Sequence, residues 1–256
     1  MGYEESLREG AGLIMGETNI TSTKINSIVR DKTPRMLDCF CGMGGVSDGF
    51  AMEGFDVTGI DIVDAPKMLG YKHRFIQADM LTLKGEDFRG YDVIWGSPPC
   101  RDFSRMAQCG KGSIRTDGNR SKWAWKVPPN PKKGMELVNC YLYFVRNAMP
   151  KIWIMENVPN LQNYLSRIDV ENQTIFTWII EPRQISQIGR TMKRAFWGNF
   201  PNFLMPSALS PNLCKAIWHI QGKYRSWQRA KIPLPCSRAF ARACRDALLN
   251  PIEVGV

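Results

Sequence analysis

The 256-residue sequence predicts an α/β fold, a doubly wound and mostly parallel sheet. Three observations carry that expectation. From residue 34 onward, short apolar, β-branched or aromatic runs alternate with stretches of helical spacing. Several runs, such as Ile152-Trp-Ile-Met155, are apolar on both alternating faces, as strands covered by helices on two sides must be. Residues with chemical potential then fall just after the runs, where open α/β sheets bind their ligands.

The expected strands, in order, are Met36 to Phe40, Asp56 to Ile62, Arg74 to Gln77, Tyr91 to Trp95, Ile152 to Met155, Ile175 to Ile180 and Ala195 to Trp197. Each is a run of three to seven residues bounded by turn formers or charge. Expected helices are Gly45 to Glu53, after a glycine-rich turn, Met135 to Met149, and a basic amphipathic helix from Ser237 to Leu249. The proline-rich, basic run Val127-Pro-Pro-Asn-Pro-Lys-Lys133 reads as an extended connection. Four segments result: a weakly patterned extension over 1–33, a main domain over 34–200, a short insertion over 201–231 rich in Pro, Trp and basic residues, and a closing helix over 232–256 that returns to the main domain.

Hydrophobic residues at 44% and charged residues at 23% are ordinary globular usage, which excludes whole-chain disorder and fibrous architectures. No run approaches the apolar length of a membrane span, and the N-terminus lacks a signal-peptide core. A cytoplasmic protein with no membrane partner is expected. Eight cysteines without a secretion signal, Cys-x-x-Cys pair or nearby histidines predict reduced thiols and no metal. The net charge of +10 is unevenly placed: residues 101–134 carry +7, residues 183–245 carry +12, and the remainder −9. Positive charge gathered this way suits a surface that follows a phosphate backbone; a solvated basic face is the plainer alternative.

Five stretches carry chemistry. Leu37-Asp-Cys-Phe-Cys-Gly-Met-Gly-Gly45 is a strand running into a glycine turn, where backbone N–H groups can approach a ligand closely. Ser47 stands where the last glycine of a dinucleotide fingerprint would fall, so a phosphate-binding site of that kind is disfavoured. Asp61 ends the second strand, 23 residues after Asp38, where a ribose diol finds its acceptor. Asp79 ends the third strand and suits an adenine amino group. After the fourth strand, the two prolines of Ser97-Pro-Pro-Cys100 fix the backbone and deny a helical start, holding the Cys100 thiol at the strand tip. Arg101 and the basic loop beyond are expected to favour its thiolate, whereas a small buried hydrophobe is the plainer role for a solitary cysteine. Last comes Glu156, closing the Ile152 run, either a proton-handling carboxyl or a helix N-terminal acid before 157–165.

Read together, these residues resemble the C5 cytosine methyltransferases. Asp38-Cys-Phe-Cys-Gly-Met-Gly-Gly45 is similar to that family's first motif, Gly96-Ser-Pro-Pro-Cys100 to its nucleophile motif and Glu156-Asn-Val-Pro159 to its Glu-Asn-Val motif, in the family's order. The resemblance covers roughly residues 35–200 and, more faintly, the closing helix. It implies the S-adenosylmethionine-dependent methyltransferase version of the fold, S-adenosylmethionine as cofactor with S-adenosylhomocysteine as product, and DNA as partner, duplex or single-stranded. The base must be flipped out of a duplex to be reached. Catalysis falls to Cys100 as nucleophile toward cytosine C6, Glu156 at N3, and Arg194. The family's Gln-x-Arg-x-Arg run is met here only by Gln187-Ile-Gly-Arg190 followed by Lys193-Arg194, with Arg194 the best match and Arg190 and Lys193 in reserve. The implied cofactor set is Phe40, whose ring would pack on adenine, with Gly42, Met43, Gly44, Gly45, Asp61, Ile62, Asp79, Met80 and Pro98. The nucleic-acid set is Arg101, Arg105, Lys111, Arg115, Arg120, Lys122, Trp123, Arg190 and Lys193. In the 101–134 stretch the tryptophans either stack on bases or pack on the body of the protein.

Two departures stand out. The family's Gly-Asn-x-Val motif, which helps close the cofactor pocket, has no match, and Lys231-Ile-Pro-Leu-Pro-Cys236 occupies its place. The recognition region is also reduced to about 30 residues, which implies low sequence specificity. The expected function is DNA cytosine-5 methylation of restriction-modification type by a monomer. The alternatives are an RNA cytosine-5 methyltransferase using the same Cys and Glu chemistry, and a catalytically idle nucleic-acid-binding module.

Overall fold

The computed structural model describes residues 33–104, 129–165, 184–188, 192–203 and 224–250. These belong, from Pro34 on, to one compact unit. Seven strands form one sheet: β1 (Arg35–Cys39), β2 (Asp56–Asp61), β3 (Arg74–Gln77), β4 (Val93–Gly96), β5 (Ile152–Asn157), β6 (Gln184–Ile188) and β7 (Met192–Gly198), in the order β3-β2-β1-β4-β5-β7-β6. The first five run parallel. β7 enters antiparallel to both β5 and β6. The order reverses between β1 and β4, and the tips of those two strands are where a doubly wound sheet opens a crevice.

The sheet is covered on both faces, as the two-sided apolar runs required. Adjacent residues of one strand enter opposite layers: Leu37, Ile94, Met155 and Trp197 join one cluster, while Met36, Trp95, Ile154 and Phe196 join the other. The first layer is filled by α3 (Pro131–Ala148) through Val138, Tyr141, Phe144 and Val145. Tyr141 lies fully buried and its hydroxyl donates to the carbonyl of Ile154 at 2.8 Å, so the polar tip is satisfied by the sheet beneath it. The second layer holds α1 (Gly45–Met52) and α5 (Leu234–Leu249). Phe240 anchors α5, with ring centroids 4.9 Å from Trp95 and 4.8 Å from Phe196. Two short helices complete the described α-helices, α2 (Ala65–Leu69) and α4 (Arg225–Ala230).

The element bounds differ from expectation where local chemistry outweighs periodicity. α3 begins at Pro131, inside the segment read as an extended connection, because Asn130 caps it by accepting the Lys133 N–H at 3.2 Å and proline needs no donor in the first turn. α5 likewise starts at Leu234, since Pro235 is tolerated in a first turn. β5 runs two residues further than expected, through Glu156 and Asn157, and a 3₁₀ turn over Pro159–Asn163 stands where a helix was expected. Glu156 is therefore a strand residue and not a helix N-terminal acid. The strand expected over Ile175 to Ile180 lies outside the described residues, and β6 was not anticipated.

Candidate active site

Three strand tips bring the proposed catalytic residues together. β4 ends at Gly96, and the chain turns through Ser97, Pro98 and Pro99 to Cys100, whose backbone caps a 3₁₀ turn over Arg101–Phe103. The prolines thus prevent an α-helix but not a tighter turn. Two bonds hold this loop. The Ser97 N–H donates to the Cys39 carbonyl at 3.2 Å, and Asn157 Nδ2 donates to the Pro98 carbonyl at 2.9 Å. Asn157 was not among the expected site residues, although it stands beside Glu156 in the same motif.

Glu156 and Arg194 are both buried and meet across the antiparallel β5–β7 pair. Glu156 is opposite Phe196, which puts Arg194, two residues away on β7, on the same face as a diagonal neighbour. Arg194 Nη1 donates to Glu156 Oε1 at 2.5 Å, and Nη2 donates to the Ala230 carbonyl at 2.9 Å. Of the three cations considered from sequence, Arg194 is the one whose described side chain bonds Glu156. Lys193 falls on β7 by its backbone, and Arg190 lies outside the described residues.

Cys100 feels both partners. Burial pushes its thiol pKa above the ordinary value, the Glu156 charge pushes the same way, and the Arg194 cation opposes them. The expectation that Arg101 would favour the thiolate is corrected here. Arg101 is exposed on the 3₁₀ turn, the cation acting on the thiol is Arg194, and the net shift favours the protonated thiol.

The glycine turn lies at the tips of β1 and β2. Phe40, Gly42 and Gly44 all have positive φ, at 62°, 50° and 70°, and Gly44 caps the start of α1. This left-handed path presents the Gly42 N–H to Asp61 Oδ2 at 2.9 Å, while Asp61 Oδ1 accepts from Val63 N–H at 3.2 Å. Asp61 is buried, which raises its pKa, and one of its oxygens holds the glycine turn while the other holds the chain just after β2. Asp79 is half-buried at the tip of β3, with Oδ1 accepting the Leu81 N–H at 3.0 Å. Around these lie half-buried Phe40 and Met43, buried Pro98, and Ile62, which is 61% exposed. Met80 is buried in the core on the α3 side.

Asp38 was read only as part of the first motif. It is fully enclosed and accepts from Ser47 Oγ at 2.6 Å and Ser47 N–H at 3.2 Å, and Ser47 Oγ is 2.9 Å from the Tyr71 hydroxyl. Burial pushes the Asp38 carboxyl up to about 7 against the hydrogen bonds from Ser47. Ser47 is thus the partner that makes a buried acid tolerable, which gives a physical reason for serine where a dinucleotide site carries glycine.

Two further contacts come from the far end of the chain. Trp227 of α4 lies against the turn, with its six-membered ring 3.1 Å from where a Cβ at Gly42 would be. A Cβ at Gly45 would meet the Ile232 carbonyl at 2.7 Å, and Lys231 Nζ pairs with Asp48 Oδ2 at 2.9 Å. Lys231 and Ile232, in the stretch that stands where Gly-Asn-x-Val was expected, thus pack on the start of α1. Of the expected nucleic-acid residues only Arg101 is fully described: Arg105, Lys111, Arg115, Arg120, Lys122 and Trp123 lie outside the described residues. No helix among the described residues is long and apolar enough to cross a membrane.

The chain is similar to known proteins over part of its length. The chain is 27% identical over 150 residues to the type II methylase M.HgiDII of Herpetosiphon aurantiacus, covering 55% of this chain and 37% of the relative. It is 31% identical over 127 residues to a protein of Frog virus 3 named as a probable DNA (cytosine-5)-methyltransferase, covering 48% and 53%. The chain thus spans about half or less of these relatives' length. Among solved structures, the S. pombe Dnmt2 methyltransferase is similar with a TM-score of 0.39 and 14% identity, over 74% of this chain and 56% of that one. The family model described as C-5 cytosine-specific DNA methylase matches residues 34–175, a stretch that holds the glycine turn, Cys100 and Glu156, and the chain belongs to that family.

Proposed function

We propose that this protein is a DNA cytosine-5 methyltransferase that works through a covalent bond between Cys100 and cytosine C6. The observation that carries the reading is the buried Glu156–Arg194 pair acting on the Cys100 thiol at adjoining strand tips. Cytosine C5 is a poor nucleophile in the aromatic ring. When Cys100 Sγ adds to C6, the proton leaving the thiol passes by way of the Glu156 carboxylate to N3, and the C4–C5–C6 unit becomes an enamine with nucleophilic character at C5. Arg194 keeps Glu156 in place and offsets the negative charge that forms at Sγ as the thiol loses its proton. After methyl transfer, loss of the C5 proton and expulsion of the Cys100 thiolate restore the ring. The balance is one methyl gained and one proton released.

S-adenosylmethionine, when bound, supplies the electrophilic methyl group. The residues present fit it: the turn through Gly42 and Gly44 opens backbone amides at the start of α1, and acids stand at the tips of β2 and β3 at the spacing of a nucleoside site. Phe40, Met43 and Pro98 would supply apolar wall, Asp61 the ribose contact and Asp79 Oδ2 the adenine contact. The +7 charge of residues 101–134 supports a polyanionic substrate and disfavours a free nucleotide.

The test is transfer of labelled methyl from S-adenosylmethionine to duplex DNA, single-stranded DNA and tRNA, each with a Cys100→Ala control. Label in DNA that disappears with the variant is the expected result. Label in tRNA alone moves the activity to RNA, and none in any polymer leaves the idle binder. Duplex DNA carrying 5-fluorocytosine tests the covalent step, because fluorine at C5 cannot leave as a proton and the Cys100 adduct should persist through denaturation.

A further inference from the structure

α4 touches both halves of the site. At one end Trp227 rests on Gly42, close enough that a methyl group there would sit 3.1 Å from the ring. At the other, the Ala230 carbonyl accepts from Arg194 Nη2 at 2.9 Å, and Lys231 beyond it pairs with Asp48 on α1. Trp227 is only half-buried, and it packs on a small apolar cluster formed by Cys41, Leu69 and Tyr71, with Met43 and Val63 beside it. The N–H groups of Gly42 and Val63 both donate to Asp61. The indole is therefore seated on the same turn that would receive the nucleoside. A half-exposed aromatic ring beside a glycine turn is the kind of wall a small-molecule site uses, since it offers area and a π face at little entropic cost.

We propose that Trp227 is a cofactor-positioning residue: it closes the S-adenosylmethionine seat over the Gly42 turn and, through α4, ties that seat to Arg194. In this chain it supplies part of the closure expected of the missing Gly-Asn-x-Val motif. The inference rests on the cofactor reading above. The coupling has a direct route, because a displacement of α4 at Trp227 moves the Ala230 carbonyl that orients the Arg194 fork.

The experiment is calorimetric titration of S-adenosylhomocysteine into the wild-type chain, Trp227→Phe and Trp227→Ala, with tryptophan emission recorded in parallel. Trp227→Ala should raise Kd by about tenfold and Trp227→Phe by about threefold or less, the spread a lost or retained aromatic wall produces. In methyl transfer, Trp227→Ala should raise the KM for S-adenosylmethionine more than it lowers kcat, a split that general loss of folded protein does not produce. Binding by Trp227→Ala at wild-type affinity overturns the proposal. If the alanine variant does not fold, emission decides: the wild-type signal should change on binding and Trp227→Phe should lose that change, whereas a change retained in Trp227→Phe, or absent from a wild type that binds, overturns it. A wild type that binds no S-adenosylhomocysteine overturns the cofactor reading itself and this inference with it.

Discussion

Arg194 donates to Glu156 at 2.5 Å from one guanidinium nitrogen and to the Ala230 carbonyl from the other, so a single planar fork joins β5 to the end of α4. Both charges are buried, and such a pair is held by geometry more than by net Coulomb gain. Removing one partner leaves the other charge buried and uncompensated. Arg194→Ala should therefore destabilise the fold by about 3–5 kcal/mol. Arg194→Lys keeps the charge but lacks the fork, so it should fold better and still lose methyl transfer by about tenfold or more. Chemical denaturation and labelled-methyl transfer on the two variants check this; equal activity in Arg194→Lys and the wild type would show that the fork is dispensable.

The Cys100 thiol is held protonated by burial and by Glu156, against Arg194. Its alkylation by iodoacetamide at neutral pH should be slower than that of free cysteine and should rise with pH. Glu156→Gln removes the repelling charge and should speed alkylation while abolishing methyl transfer, whereas Arg194→Lys should change it little. Six free cysteines are described, so the reaction is read on the Cys100 peptide by mass spectrometry. A slower rate in Glu156→Gln would contradict the assigned electrostatics.

Asp38 offers a pH test of the fold. Its folded pKa is about 7, above the ordinary carboxyl value of 3.8, because burial penalises the charged form. The folded state then binds a proton that the unfolded chain has released, so this group's contribution to stability is fully present below the unfolded pKa. It declines as pH rises from about 4 to about 7. Asp38→Asn keeps an acceptor for Ser47 without the charge. The variant should gain melting temperature relative to wild type at pH 8 and lose that advantage at pH 5. A difference independent of pH would place the titration elsewhere.

How much of this was legible follows from where each contact comes from. Cys100, Glu156, Asp61 and Asp79 were readable because each ends an apolar run, and strand tips in an open sheet converge on one crevice whatever the loops do. Arg194 was distinguishable from Arg190 and Lys193 only through motif spacing, since facing Glu156 depends on a register set by an antiparallel pairing that the local pattern does not reveal. Ser47 read as a missing glycine because its partner, Asp38, lies nine residues back on β1 and is buried only in the folded state. Trp227 and Ala230 were not readable at all. Their segment has no clear periodicity, and Trp227 reaches a turn 185 positions earlier in the chain. β6, Gln-Ile-Ser-Gln-Ile, offers just two apolar residues and sits at the sheet edge, where a strand needs little burial.

Asn157 tests whether the nucleophile loop is positioned from the neighbouring strand. Its Nδ2 donates to the Pro98 carbonyl at 2.9 Å inside the core, and its Oδ1 accepts the Val158 N–H at the same distance. Asn157→Ala leaves that carbonyl buried without its donor, which costs about 1–3 kcal/mol of stability. Asn157→Asp keeps the acceptor for Val158 but turns an acceptor toward the Pro98 carbonyl, and it should be worse than alanine. The functional consequence is more specific than the stability loss. Cys100 lies two residues beyond Pro98, and displacement of the sulfur by about 1 Å is enough to lower kcat by about a hundredfold. Cofactor binding at the β1–β2 tips, which does not pass through Pro98 except at its edge, should be nearly unchanged. The measurement is kcat together with the S-adenosylhomocysteine Kd for Asn157→Ala at a temperature where the variant is fully folded. A loss confined to kcat establishes Asn157 as the residue that aims the thiol, and a parallel loss of cofactor affinity would mean that the β4 loop and the glycine turn move as one piece.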